Sequence, residues 1–541
     1  MKQTTNIYRM SRIWTVLVIT AILCSCDSFL NETNYTKLTT DYLVTSVDGM
    51  QRMVVGMYGK DRELFRNSGD GESVVYLALL MGDDITLPVA GEGIPQFGRY
   101  NNLLSTNNIV SKYWRYQYIM IEYANTVINA SANVDMTDPQ AMQAVAEAKC
   151  FRAHAYLRLL QRYDRVYLNT RSTTLGETKE DETKRPAATE DVYALISDDL
   201  GYAIRVLPLT TDQPGRFTKG AARHILAKTA AYMQDWQVVA DQVDSIEASG
   251  VYQLLPEPGD VFGAGDLNHS EGILVSQWAK ALGGWYTNYS VNPVTNNGHR
   301  MSLHTTPTYN QEQGMVINAA SGGYPWGRLF PNDYMFSLYD QTNDKRFTQW
   351  YKRYWTLNDK DNLGRGQHIG DTIFPINQGQ YKNVHPMCTK YMDTWTKTTP
   401  DEMMSFKDII IYRLAETYLL GCEANLHLGN QGKAVDYFNK TYTRAGNAPW
   451  VGALTLQDFM DEHARELCME GDRWNMLKRE GELLSQVRKH GGEYLVDTKG
   501  RVLMCDTLSR INIQPHHVRW PIPQTQIELM GPDNFPQNEG Y

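Results

Sequence analysis

The sequence predicts a mainly α fold: tetratricopeptide-like helical hairpins forming a superhelical scaffold, with long irregular loops and minor β structure to carry a ligand surface. Three observations lead there. Residues 142–162 place Ala146, Cys150, Ala153, Leu157 and Leu160 at helical spacing, with Glu147, Arg152 and Gln161 elsewhere on the cylinder, the pattern of an amphipathic helix. Two further pairs of helical patterns are joined by short connections: Ala221 to Met233 with Trp236 to Ala248, and Tyr412 to Leu428 with Lys433 to Arg444. Short connections make antiparallel neighbours. In the second pair Ala424, Gly429, Ala434 and Phe438 fall where a tetratricopeptide hairpin puts small and aromatic packing residues, although no strict period of about 34 residues runs through the chain. The third observation is what lies between the hairpins. Residues 252–335 are punctuated by Gly283-Gly284, Asn296-Asn297-Gly298 and Gly322-Gly323, and only Gly272 to Trp278 reads as a strand.

Taken from the N-terminus, the first element is a leader. Lys2, Arg9 and Arg12 form a positive region and Ile13 to Leu23 an apolar stretch too short to span a bilayer, which is the layout of a secretory signal. Leu23-Cys24-Ser25-Cys26-Asp27 resembles the bacterial lipobox. Residues 1–25 are therefore expected to be removed, Cys26 to be lipidated, and 26–40 to act as a polar tether holding the body on a membrane. The remaining 41–541 should form a single domain with halves of about 41–260 and 261–541. The whole chain of 541 residues carries 52 Lys and Arg against 61 Asp and Glu, and this mild acidity argues against a nucleic-acid binder that neutralises phosphates. With 42% hydrophobic and 21% charged residues the chain is neither disordered nor polytopic. Tyrosine is abundant, 33 against 14 Phe, which suggests rings needed at surfaces, because the hydroxyl wants water or a partner.

Beyond Cys24 and Cys26, five cysteines remain: Cys150, Cys388, Cys422, Cys468 and Cys505. An odd number, with three inside helical apolar patterns, reads as small buried hydrophobes and not as a disulfide framework. No Cys-x-x-Cys, His-Glu-x-x-His, Gly-x-Ser-x-Gly, phosphate-cradling loop or dinucleotide fingerprint occurs, and Gly69-Asp70-Gly71 and Gly91-Glu92-Gly93 are turn material. No enzyme activity, cofactor or metal is expected. Paired glycosidase carboxylates obey no local spacing rule, so Asp83, Asp84 or Glu312 keeps a surface glycosidase open as a much weaker reading.

The lipobox, Ala146-Glu147-Ala148-Lys149-Cys150-Phe151-Arg152-Ala153, Gly215-Arg216-Phe217-Thr218-Lys219-Gly220, Tyr412-Arg413-Leu414-Ala415-Glu416 with Cys422-Glu423-Ala424, Arg465-Glu466-Leu467-Cys468-Met469-Glu470-Gly471-Asp472-Arg473-Trp474, and Trp520-Pro521-Ile522-Pro523 before the closing Gln537-Asn538-Glu539-Gly540-Tyr541 together resemble the SusD/RagB family across nearly the whole mature chain. The resemblance implies an outer-membrane lipoprotein facing the cell exterior, with the ligand surface on irregular loops. It also implies a SusC-like TonB-dependent barrel as partner, over which the protein sits as a hinged lid. The ligand would be a glycan or, as in the RagB branch, a peptide. Both stack on aromatics, so charge and tyrosine content leave the two open.

The family motifs themselves read as scaffold. Glu147, Arg152, Glu416, Glu423, Glu466, Glu470 and Arg473 sit on helical patterns, where charges pin helix to helix. Trp474, Trp278, Trp114 and Tyr118 read as core. Sugar recognition needs flat aromatic faces ringed by hydrogen-bonding groups. Two stretches offer them: the 278–330 loops, through Trp285, Tyr286, Asn288, Tyr289, Tyr324, Trp326 and Arg328, and Gly82 to Thr106, through Asp83, Asp84, Phe97, Arg99, Tyr100 and Asn101.

Overall fold

The computed structural model describes residues 40–68, 71–72, 74–87, 94–172, 185–280 and 298–541. The leader, Cys26, Trp285, Tyr286, Asn288 and Tyr289 lie outside the described residues. Among those described, nine helices reach twelve residues or more: α1 Val47–Asp61, α2 Asn108–Ala130, α3 Pro139–Tyr163, α4 Thr189–Val206, α5 Lys219–Tyr232, α6 Trp236–Ala248, α7 Leu414–His427, α8 Gln431–Arg444 and α9 Leu456–Leu467. From α2 to α9 each packs on the next, so the chain winds as a stack of hairpins. This is the superhelical, tetratricopeptide-like architecture expected.

Local chemistry sets the helix ends. The Asn107, Asp138, Thr218 and Asp235 side chains accept bonds from backbone N–H groups of the first turns of α2, α3, α5 and α6. Thr455 and Asp458 form a capping box at α9. The α5–α6 turn holds Gln234 at a φ of 59°, and the α7–α8 turn holds Gly429 at 74°, a left-handed conformation that suits glycine.

Two elements depart from the sequence reading. Helix α3 is not half-exposed: Glu147, Arg152 and Gln161 are buried with its apolar residues, because α2 and α4 pack along it. Each buried charge is answered. Arg152 grips Asp199 of α4 at 2.7 and 2.8 Å and donates to Asn125 of α2, while Glu147 accepts from Tyr58 and Arg216. The helix expected from Tyr412 begins at Leu414, because the β-branched run Ile409-Ile410-Ile411 is drawn into strand β4, Ile409–Arg413. That strand pairs antiparallel with β2, Gly272–Ser276. A shorter antiparallel pair, β1 (Ile85–Thr86) with β3 (Phe330–Pro331), ties the two aromatic-rich stretches together.

Under the family motifs lies a buried ionic lattice. Glu466 accepts from Arg346 at 2.7 Å, from Arg413 at 2.6 Å and from Arg444. Arg413 also reaches Glu271 and Glu470, and Arg346 reaches Asp344 and Glu462. Burial alone would raise the Glu466 carboxyl, yet Arg444, Arg413 and Arg346 together hold it well below the usual carboxylate range. Arg479 binds Glu423 through two 2.6 Å bonds, and Lys228 joins Glu416 to Asp472. Cys150, Cys388, Cys422 and Cys468 are buried and unbridged, and Cys505 is exposed.

Candidate functional site

The loop layer stands on its own small apolar cluster of Tyr309, Met315, Trp355, Leu357, Val384 and Met387, separate from the main core. Tyr309 stacks on Trp355 at 5.0 Å. Its hydroxyl donates to the Gly323 carbonyl at 2.7 Å and receives the Asn318 N–H, which pins the turn before Tyr324. Gly322 and Gly323 have φ of 94° and 78°, and a Cβ at Gly323 would lie 2.8 Å from the Pro400 carbonyl. Glycine is thus required both by conformation and by the close approach of the 393–402 loop.

This turn delivers Trp326. Its N–H donates to the Leu303 carbonyl and that of Arg328 to His304, which lays the segment along the short helix Met301–Thr305. The indole is partly exposed. His304 meets it edge-on at 5.4 Å, and the Arg300 and Arg328 guanidiniums lie 5.2 and 5.4 Å from its ring. Such cation–π contacts fix a ring without covering it completely. Tyr324 beside it is also partly exposed.

The 393–402 loop completes the surroundings, and the sequence reading missed it. Asp393 accepts from the N–H groups of Trp395 and Thr396 and from the Ser405 hydroxyl. Trp395, 49% accessible, is the most open tryptophan among the described residues. Beneath it Lys407 sits 4.8 Å from the ring, its ammonium held by the Phe262, Lys390 and Met392 carbonyls. Lys280 ties the loop to the neighbouring segment through Thr398 and Glu402. Lys397 has its ammonium buried beside the Gly323 turn without a hydrogen-bond partner, and burial pulls its pKa down. A tryptophan set among polar and threonine residues was the available signal.

The earlier stretch is placed differently. Asp83 is 0% exposed, and both its oxygens are taken by Arg473 at 2.7 and 3.0 Å. Asp84 is also buried, its carboxyl pushed up to about 7 by burial first and the charge of Asp83 second. Phe97 packs on Trp520 and Tyr100 on His517, at 4.6 and 5.3 Å, both inside the core. Arg99 is spent on Asp506 and the Leu87 carbonyl. These five are corrected from ligand candidates to scaffold, because the β1–β3 pairing and α9's neighbour Arg473 draw the stretch inward. Asn101 alone is exposed. Glu312, the other carboxylate weighed, accepts from Asn383 and Gln380, whereas Asp83 and Asp84 are buried in the core. Among the described residues no cluster of His, Cys, Asp or Glu is placed to hold a metal, and no helix is long and apolar enough to cross a membrane.

Comparison with known proteins adds the following. Residues 285–541 match the model of the SusD family, and residues 28–230 match a family described as starch-binding associating with outer membrane. The SusD-like protein P25 of Formosa agariphila is 25% identical across 93% of this chain and 94% of its own length. The starch-binding protein SusD of Bacteroides thetaiotaomicron is 34% identical over 134 residues, 25% of this chain and 22% of that protein. Among solved structures, a laminarin binding SusD-like protein superposes with a TM-score of 0.71 at 22% identity, covering 91% of this chain and 99% of its own. Surface glycan-binding protein A from Bacteroides thetaiotaomicron in complex with laminarihexaose does so with 0.68 at 20%, covering 91% and 99%.

Proposed function

The chain belongs to the SusD family, and from that premise we propose that it is a non-catalytic lipoprotein of the outer membrane, facing the exterior. It captures a glycan on its loop layer and passes it to a SusC-like TonB-dependent barrel. The observation that carries the reading is Trp326. The indole is partly open, set on a turn that Tyr309 and two glycines hold in place, with the Arg300 and Arg328 guanidiniums over its ring at 5.2 and 5.4 Å. A flat preorganised ring of this kind stacks on the C–H face of a pyranose. Tyr324, partly exposed beside it, supplies a hydroxyl for sugar hydroxyls, and Trp395 extends the surface for a longer chain. Trp285, Tyr286 and Tyr289 belong to the same proposed site by sequence. The names of the relatives make starch and laminarin the first polymers to try.

An equilibrium binding screen against soluble polysaccharides and peptide mixtures tests this. Saturable binding of a polysaccharide is expected, and binding of peptides alone would replace the glycan reading with the RagB-like one. Anchoring rests on Cys26: Cys26→Ala should leave the protein uncleaved or released from the membrane fraction. A variant that still labels with a palmitate analogue would remove the lipid from the account. Purification from the native outer membrane in mild detergent should bring down a large barrel, and repeated recovery of a lone monomer speaks against the partner.

A further inference from the structure

A cleft of about 300 Å³ opens between α1, the 213–217 loop and β2. Its floor is aromatic: Tyr58, Phe151 and Phe217 meet at centroid distances of 4.7 to 5.7 Å. Gly215, at a φ of 86°, closes one wall, since a Cβ there would lie 2.7 Å from the Gln277 side chain and 3.0 Å from the Val275 carbonyl. Val55 stands exposed at the rim. The volume is at the lower end of that of small-molecule sites, about 300–1,000 Å³, and suits a body of one six-membered ring.

The charges of this cleft are unbalanced. Asp61, the one carboxylate lining it among the described residues, is already bound to Arg158 at 2.6 Å. Arg216 gives a terminal nitrogen to Gln51 and Glu147, but its Nε is buried with no acceptor. Among the described residues Arg62 makes a single 3.1 Å bond, to the Gln277 carbonyl, and lies over Trp278 with no carboxylate within ion-pair distance. Burial and the neighbouring Arg66 hold it below the usual guanidinium range, so an anion beside it is favoured. An aromatic floor under two guanidiniums whose acceptors are incomplete matches one ligand chemistry.

We infer that this cleft binds a small organic carboxylate with a ring-shaped body, the carboxylate on Arg62 and the Arg216 Nε and the ring on the Tyr58, Phe151 and Phe217 floor. The site is separate from Trp326 and does not depend on the glycan reading there. Two sources share this chemistry, an acidic sugar and an aromatic acid.

Calorimetric titration of the mature chain with glucuronate, benzoate and glucose tests the inference. Saturable binding of glucuronate or benzoate, with glucose silent, supports it, and whichever acid binds identifies the source. Arg62→Gln should weaken that binding roughly tenfold or more, as expected for loss of a charge-assisted bond. Val55→Trp, which fills the mouth from an exposed rim position, should abolish it at an unchanged melting temperature. Trp326→Ala should leave it intact. The inference is overturned if neither acid saturates at millimolar concentration, if glucose binds as well as glucuronate, or if a folded Val55→Trp variant binds as tightly as the parent.

Discussion

Trp474 and Trp326 have the same company and opposite fates. Each indole has two cationic side chains against it: Arg162 and Lys478 at 4.5 and 5.5 Å from Trp474, Arg300 and Arg328 at 5.2 and 5.4 Å from Trp326. Trp474 is only 3% exposed, inside the scaffold that carries the family motifs, whereas Trp326 is partly open on the loop layer. The cations alone therefore do not tell a binding ring from a packing ring. What tells them apart is the footing. Trp474 belongs to the main core, in a helix next to the ionic lattice, and Trp326 hangs on a turn above a minor cluster of its own.

The largest effect should come from the scaffold side. Glu466→Ala removes the carboxylate that Arg346, Arg413 and Arg444 share, leaving each with fewer acceptors inside the core, and breaking a buried charge network of this sort costs about 3–5 kcal/mol. Denaturant unfolding should show that loss, while the folded fraction keeps its ligand affinity. An unchanged unfolding midpoint would erase the division between scaffold and surface.

A smaller effect, with a pH signature, is expected at Asp84. Its folded pKa is raised to about 7, so the native state holds the proton more tightly than the unfolded chain. Stability should then fall as pH rises from about 4 to about 7. Asp84→Asn removes that penalty and should gain about 1–3 kcal/mol at pH 8 and little at pH 4. Equal melting shifts at both pH values would show that this carboxyl is not burdened by burial.

The smallest change in stability belongs to Trp395. Because its ring is exposed, Trp395→Ala should alter stability by no more than about 0.5 kcal/mol. Affinity for a polymer should drop more than affinity for a short oligomer. Equal losses for both would place Trp395 at the centre of the surface and not at its edge.

The scaffold was largely legible in the sequence because its signals are local. The α5–α6 hairpin follows from helical spacing broken at Gln234-Asp235, and the α6 limits read from sequence are those of the structure. The first residues of the 412 helix were misread because their β-branched run finds its strand partner far back in the chain, at Gly272–Ser276. The same distance problem governed the site. Gly82 to Thr106 has the glycine and asparagine content of a surface loop, yet Arg473, 390 positions away, claims Asp83. Trp326 was visible beside its Gly-Gly turn, while the Trp395 loop has no periodicity or glycine pair to mark it.

One paired measurement tests the central claim most directly: ligand affinity and thermal unfolding of Trp326→Ala beside Trp474→Ala, once a ligand is in hand. Trp326→Ala should keep the parent melting temperature and lose roughly 1–3 kcal/mol of binding, about five- to 150-fold, by analogy with base stacking on aromatics. Trp474→Ala should lose about 3–5 kcal/mol of stability and bind normally wherever it remains folded. If Trp326→Ala unfolds the protein, or binds as tightly as the parent, the ring is not the ligand platform and the account is contradicted.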